Sequence, residues 1–151
     1  MDPSTAKSRS GWIVFYAGCP VCWASKLQSQ VALSTTEAEY IAMSQALRDV
    51  IPVMNLIQEM GEKGFQVICT LPNVYCKVFE DNSGALELAR LPKLRPRTKH
   101  INVCYHHFRK HVCKGLIKIF PVNTKDQIAD ALTKALAQND FTRHRRYLCG
   151  K

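Results

Sequence analysis

Tyr40, Met43, Leu47, Val50, Met54 and Ile57 recur at alternating steps of three and four residues, a spacing that puts a continuous apolar stripe on one face of a helix. The rest of the chain has to cover that stripe. The helix is expected from about Thr35 to Met60, stopping near Gly61. Ser34-Thr35-Thr36-Glu37 supplies a capping box at its start, with Ser34 bonding the backbone and Glu37 reaching back to it. Pro52 falls inside the helix and should bend it or remove one backbone bond.

The segments around this helix alternate in character. Gly11 opens an apolar, β-branched run, Trp12–Ala17. Gly18 and Pro20 mark a turn, and Val21–Lys26 returns, so a hairpin is expected. Val74–Phe79 reads as a strand ending in acids, and Asn82-Ser83-Gly84 starts a short helix through Leu91. Pro92 and Pro96 interrupt the chain, His100 to about Cys113 has helical spacing, and Leu116–Phe120 is a further strand halted by Pro121. Thr124-x-x-Gln127 has the form of a second capping box, opening a helix with Ile128, Leu132 and Ala135 inward. Strands interleaved with helices in 151 residues of 46% apolar content predict one α/β domain. Residues 1–10, polar and small, read as a loop.

The formal charge is +9, from 21 basic and 12 acidic residues. The basic residues thicken at Lys93–Lys99, His106–Lys114 and Arg143–Lys151, which suits a polyanionic partner, although basic domains are often merely soluble. Seven cysteines, with no signal-peptide pattern before them, fit reduced thiols inside the cell. No apolar stretch is long enough to span a bilayer, so the chain reads as soluble, with no membrane partner. Cys19-Pro20-Val21-Cys22 has zinc-ribbon spacing, and Cys104, His106, His107, His111 and Cys113 could complete a site. The first pair falls in a tight hairpin and no second such pair follows, so packed or surface thiols are the preferred reading.

Three acids stand in local patterns that packing does not explain. Glu39 borders the apolar stripe, although Thr36-x-x-Glu39 is also a possible capping box. Asp81 ends a strand, where ligands meet open α/β sheets, although taken alone it reads better as the N-cap of the next helix. Asp130 sits between Ala129 and Ala131, small neighbours that leave room for a ligand. Of the adjacent acids, Glu37 is assigned to capping and Asp126 to the first-turn dipole. Glu80 should face away from Asp81 by strand alternation.

Ser34–Ala42, Val78–Ala85 and Asp126–Lys134, with Arg97-Thr98-Lys99-His100-Ile101, resemble the ribonuclease H domain of the Pol polyprotein of copia-type LTR retrotransposons, from about Ser8 onward. The resemblance implies a mixed sheet flanked by helices over residues 11–137, followed by a basic Pol tail over 138–151. It implies Glu39, Asp81 and Asp130 as catalytic metal ligands. The ions would be two Mg²⁺ or Mn²⁺ about 4 Å apart, with no small-molecule cofactor. Lys93, Arg95, Arg97, Lys99 and His100 would hold the substrate. The implied activity is hydrolysis of the RNA strand of an RNA–DNA hybrid during reverse transcription, beside an upstream reverse transcriptase domain. The implied place is a cytoplasmic particle with access to the nucleus. The family's first catalytic Asp lies on a central strand upstream of Ser8, so the chain is expected to lack that strand and to be inactive alone. A non-catalytic nucleic-acid-binding remnant of a Pol gene is the alternative, with a small zinc module behind it.

Overall fold

The computed structural model describes residues 7–68, 73–91 and 103–150. Strands β1 (Arg9–Tyr16) and β2 (Cys19–Leu27) form an antiparallel hairpin. Its two-residue turn, Ala17-Gly18, has positive φ at both positions, 52° and 79°, and that handedness matches the twist of the flanking strands.

Helix α1 (Thr35–Glu62) is the long helix expected from the stripe. Tyr40, Met43, Leu47, Val50 and Met54 are buried, and Ile57 is half-buried. The Ser34 side chain accepts from the Glu37 N–H at 3.1 Å, and the Glu37 carboxylate accepts from the Leu33 N–H at 2.8 Å, one residue earlier than a strict capping box. Pro52 stays within the helix on an exposed position.

Strand β3 (Cys76–Glu80) runs into α2 (Ser83–Arg90), and β4 (Ile117–Pro121) pairs with β3 in parallel. A 3₁₀ turn, Val103–His106, and a short helix α3 (Arg109–Cys113) replace the single helix expected over 100–113. The segment after β4 also departs from expectation. Asn123, not Thr124, caps a 3₁₀ turn at Thr124–Asp126, and a second 3₁₀ turn spans Ile128–Leu132 in place of a helix. Helix α4 (Gln138–Cys149) follows. It is fixed by buried His144, whose Nε2 lies 3.0 Å from the Lys125 carbonyl, and by Arg143.

The architecture is therefore mixed α/β. Among the described residues the strands make two separate two-stranded ladders, one antiparallel and one parallel, instead of the one mixed sheet expected. One core joins them, with Tyr40, Ile41 and Leu47 of α1 packed among Leu88, Phe108, Ile117 and Ile119.

Candidate functional site

Glu39, Asp81 and Asp130 line one cavity of about 710 Å³, reached from α1, the end of β3 and the Ile128–Leu132 turn. Each is placed by a local device. Asn82 caps α2, accepting from the Ala85 N–H at 3.0 Å, which releases Asp81 from the capping role open to it. Ser34 and Glu37 cap α1, which releases Glu39 in the same way.

Two glycines let the acid-bearing segments approach. A Cβ on Gly11 would lie 2.5 Å from Thr133 Cγ2 and 3.1 Å from the Ala129 carbonyl, so the turn holding Asp130 can dock on β1 only because that position is bare. A Cβ on Gly84 would lie 2.7 Å from Thr36 Oγ1, where the starts of α1 and α2 meet. Gly84→Ala is expected to lower stability by about 1–2 kcal/mol, the overpacking cost exceeding the gain in helix propensity. Urea unfolding checks this, and an unchanged midpoint would show that Thr36 moves aside freely.

The charges in the cavity act on one another. Solvent reaches Glu39, yet protein surrounds it on most sides. That desolvation, followed by the charges of Asp81 and Asp130, holds its carboxyl above the usual range, with Lys134 opposing. Lys134 Nζ lies 2.6 Å from Asp130 Oδ2. Its ammonium pKa is raised, first by that hydrogen bond and then by the charges of Asp130, Asp81 and Glu39. Lys134 is thus a built-in counter-cation for the acids, one that reading the motif for ligands alone passed over.

Glu80 is the second residue that sequence reasoning set aside. It lines the same cavity, is 6% exposed, and accepts from the Asn82 N–H at 3.0 Å. Burial pushes its carboxyl up to about 7, against the pull of the Asn82 N–H, and Glu39, Asp81 and Asp130 add to the rise. Glu80 keeps the alternation of β3, on the inward side with Cys76 and Val78, and the expectation failed because Asp81 lies just past the strand end, where alternation no longer holds. A carboxyl with a raised folded pKa stabilises the fold fully below its unfolded value of about 4.3. That contribution is lost as pH rises through about 7. Glu80→Gln should therefore change little at pH 4 and add on the order of 2–3 kcal/mol at pH 8. Unfolding curves at the two pH values check the sign; a gain at pH 4 alone would reverse it.

Asp126, set aside in the sequence reading, also lines the cavity. Asp126 pairs with Arg143 Nη1 at 2.9 Å on the surface and takes no first-turn role in an α-helix. Lys93, Arg95, Arg97, Lys99 and His100 lie outside the described residues. For zinc, Cys19 is exposed and Cys22 half-buried on the hairpin, and the Cys104 side chain also lies outside the described set.

For Mg²⁺ or Mn²⁺ the donors are right in kind and not in placement. Five carboxylates, of Glu39, Glu80, Asp81, Asp126 and Asp130, line the cavity, but among the described residues no three His, Cys, Asp or Glu side chains are gathered closely enough to hold one ion. Lys134 already occupies Asp130. As arranged, these residues do not make a metal site. No helix among the described residues is long and apolar enough to cross a membrane.

Comparison with known proteins points to mobile elements. The chain is 36% identical over 140 residues to the retrovirus-related Pol polyprotein from transposon TNT 1-94 of Nicotiana tabacum, a match covering 93% of the chain and 10% of that protein. It is 36% identical to the Pol polyprotein from transposon RE1 of Arabidopsis thaliana and 35% identical to that from RE2, each over 93% of the chain and 9% of the relative. The chain thus spans about a tenth of the length of these curated relatives. No protein-family model matches it, and no solved structure does. These three relatives are retrovirus-related Pol polyproteins from plant transposons.

Proposed function

We propose that this chain is the ribonuclease H part of a retrotransposon Pol polyprotein, with the ribonuclease H-like fold, acting on the RNA strand of an RNA–DNA hybrid during reverse transcription. The observation that carries the reading is that Glu39, Asp81 and Asp130, from three separate motifs, line one cavity, where Glu80 and Asp126 join them and Asp126 is paired with Arg143, while Glu37 is spent on capping α1. Homology to Pol polyproteins supports it from outside.

The reading includes a pair of Mg²⁺ or Mn²⁺ ions. Holding them would require Lys134 to leave Asp130 and a further oxygen donor to join the three acids. It also includes an upstream reverse transcriptase as neighbour, a cytoplasmic particle with access to the nucleus as the place of action, and no membrane partner. The basic stretch at Lys93, Arg95, Arg97, Lys99 and His100 is the proposed grip on hybrid phosphates, where shape and 2′-hydroxyl contacts outweigh sequence.

The test is a labelled RNA annealed to DNA, incubated with the chain and Mg²⁺ or Mn²⁺. At most a trace of nicking of the hybrid, with 5′-phosphate ends and none in duplex RNA, is expected from the chain alone. Hybrid retention should fall steeply with salt. Equal retention of hybrid, duplex RNA and duplex DNA, with no nick under either metal, would favour the non-catalytic binding module.

A further inference from the structure

A second, smaller cavity of about 160 Å³ lies between the hairpin and the middle of α1, lined by Trp12, Lys26, Gln45, Arg48 and Asp49. Trp12 stands opposite Ala24 in the hairpin, and Lys26, two residues further on, shares that face. Gln45, Arg48 and Asp49 share one face of α1 by their spacing of three and four. Trp12 is 6% exposed, yet among the described residues its indole N–H has no hydrogen-bond partner, and neither has the buried side-chain oxygen of Gln45. A buried donor and a buried acceptor left unpaired on one cavity both call for a complementary group. The Lys26 ammonium lies 5.3 Å from the centre of the Trp12 ring. A cation held over the ring face draws electron density from it and makes the indole N–H a stronger donor. Arg48 adds a second positive charge and Asp49 a single negative one, both on exposed positions.

We infer that this cavity binds a phosphate group that keeps one proton, as inorganic phosphate or a terminal phosphate monoester does at about pH 6. Its charged oxygens accept from the Trp12 N–H and face Lys26 and Arg48, while its remaining hydroxyl donates to the Gln45 oxygen. Each orphan then has a partner of the right kind. A cation is opposed by two positive side chains and gives the N–H nothing to donate to. A fully ionised oxyanion such as sulfate satisfies the N–H but leaves the Gln45 oxygen unpaired. The cavity is also roomy for water alone, since 160 Å³ far exceeds the roughly 10–15 Å³ that lodges one molecule. The inference stands apart from the nuclease reading, because Glu39, Asp81 and Asp130 take no part in it.

The experiment titrates the isotope-labelled chain with sodium phosphate at about pH 6 and follows the indole N–H signals of its two tryptophans by NMR. The Trp12 signal should shift and saturate, with a Kd of about 1–10 mM, while that of Trp23, 63% exposed on β2, stays in place. Sulfate carries the greater charge at that pH and should still bind about tenfold more weakly. Gln45→Met should erase this preference. Trp12→Phe keeps a ring against α1, identifies the Trp12 signal by its loss, and should weaken phosphate binding about tenfold, read from the backbone amides of Gln45 and Arg48. A short 5′-phosphorylated oligonucleotide that competes, where its 5′-hydroxyl counterpart does not, would name nucleic-acid ends as the source of the group; competition by neither would leave free phosphate. A Trp12 signal unmoved by phosphate would give the cavity to water and overturn the inference. An equal response to sulfate would reduce it to unspecific attraction by Lys26 and Arg48, and equal competition by the 5′-hydroxyl oligonucleotide would remove the need for a terminal phosphate; either result overturns it too.

Discussion

On the ribonuclease H reading proposed above, cleavage of an RNA–DNA hybrid should rise at least about a hundredfold over the isolated chain when a strand carrying an additional aspartate is fused ahead of it. Asp81→Asn in the extended protein should then remove the gain. Five acids line the cavity, three of them from the family's motifs, but no three of the described ligand-type side chains gather around one point, and the ribonuclease H resemblance implies a further acid on a central strand. Misplaced or missing charge-stabilising groups each cost on the order of 3–4 kcal/mol of transition-state stabilisation, and 1.36 kcal/mol is a factor of ten in rate. Single-turnover rates in Mg²⁺ would measure the difference. Full activity in the isolated chain would show that the three acids suffice. An extended protein indifferent to Asp81→Asn would remove Asp81 from the chemistry.

What the sequence made legible follows from how local each signal is. The α1 stripe, its Ser34 cap and the hairpin came through because period, cap and turn are written within a few residues of one another. The segment 124–135 did not. Its apparent capping box is overruled by Asn123, whose side chain takes the Lys125 N–H at 3.0 Å. The close fit of Ala129 and Thr133 over Gly11 then accompanies a tighter 3₁₀ turn in place of a helix. That fit joins residues more than a hundred positions apart, and no local pattern announces it. The site behaves likewise. The three motifs named Glu39, Asp81 and Asp130, whereas Lys134 and Glu80 matter through the charges and burial that folding brings to them. Separation of the strands into two ladders is also a property of the whole chain, since each strand alone reads as ordinary β structure.

Phe108→Ala should cost about 3–5 kcal/mol, a large share of the 5–15 kcal/mol that holds a domain of this size together. Phe108 is fully buried, with its ring 5.5 Å from that of Tyr40 and 5.8 Å from that of His107 in an edge-on contact. It precedes α3 directly and belongs to the one core cluster that joins α1, α2 and β4. A void there would remove support from each of them, and the cavity beside α1 leaves little packing elsewhere to compensate. Tyr40→Phe is the contrast to measure beside it. It keeps the ring and deletes only the hydroxyl, which lies 2.7 Å from His106 Nδ1 and whose pKa burial pushes up to about 12. Losing that bond should cost about 1–2 kcal/mol. Urea unfolding followed by circular dichroism separates the two. If Phe108→Ala cost no more than Tyr40→Phe, the core would be held by the α1 stripe alone, and the 103–113 segment would be an attachment to the fold instead of part of it.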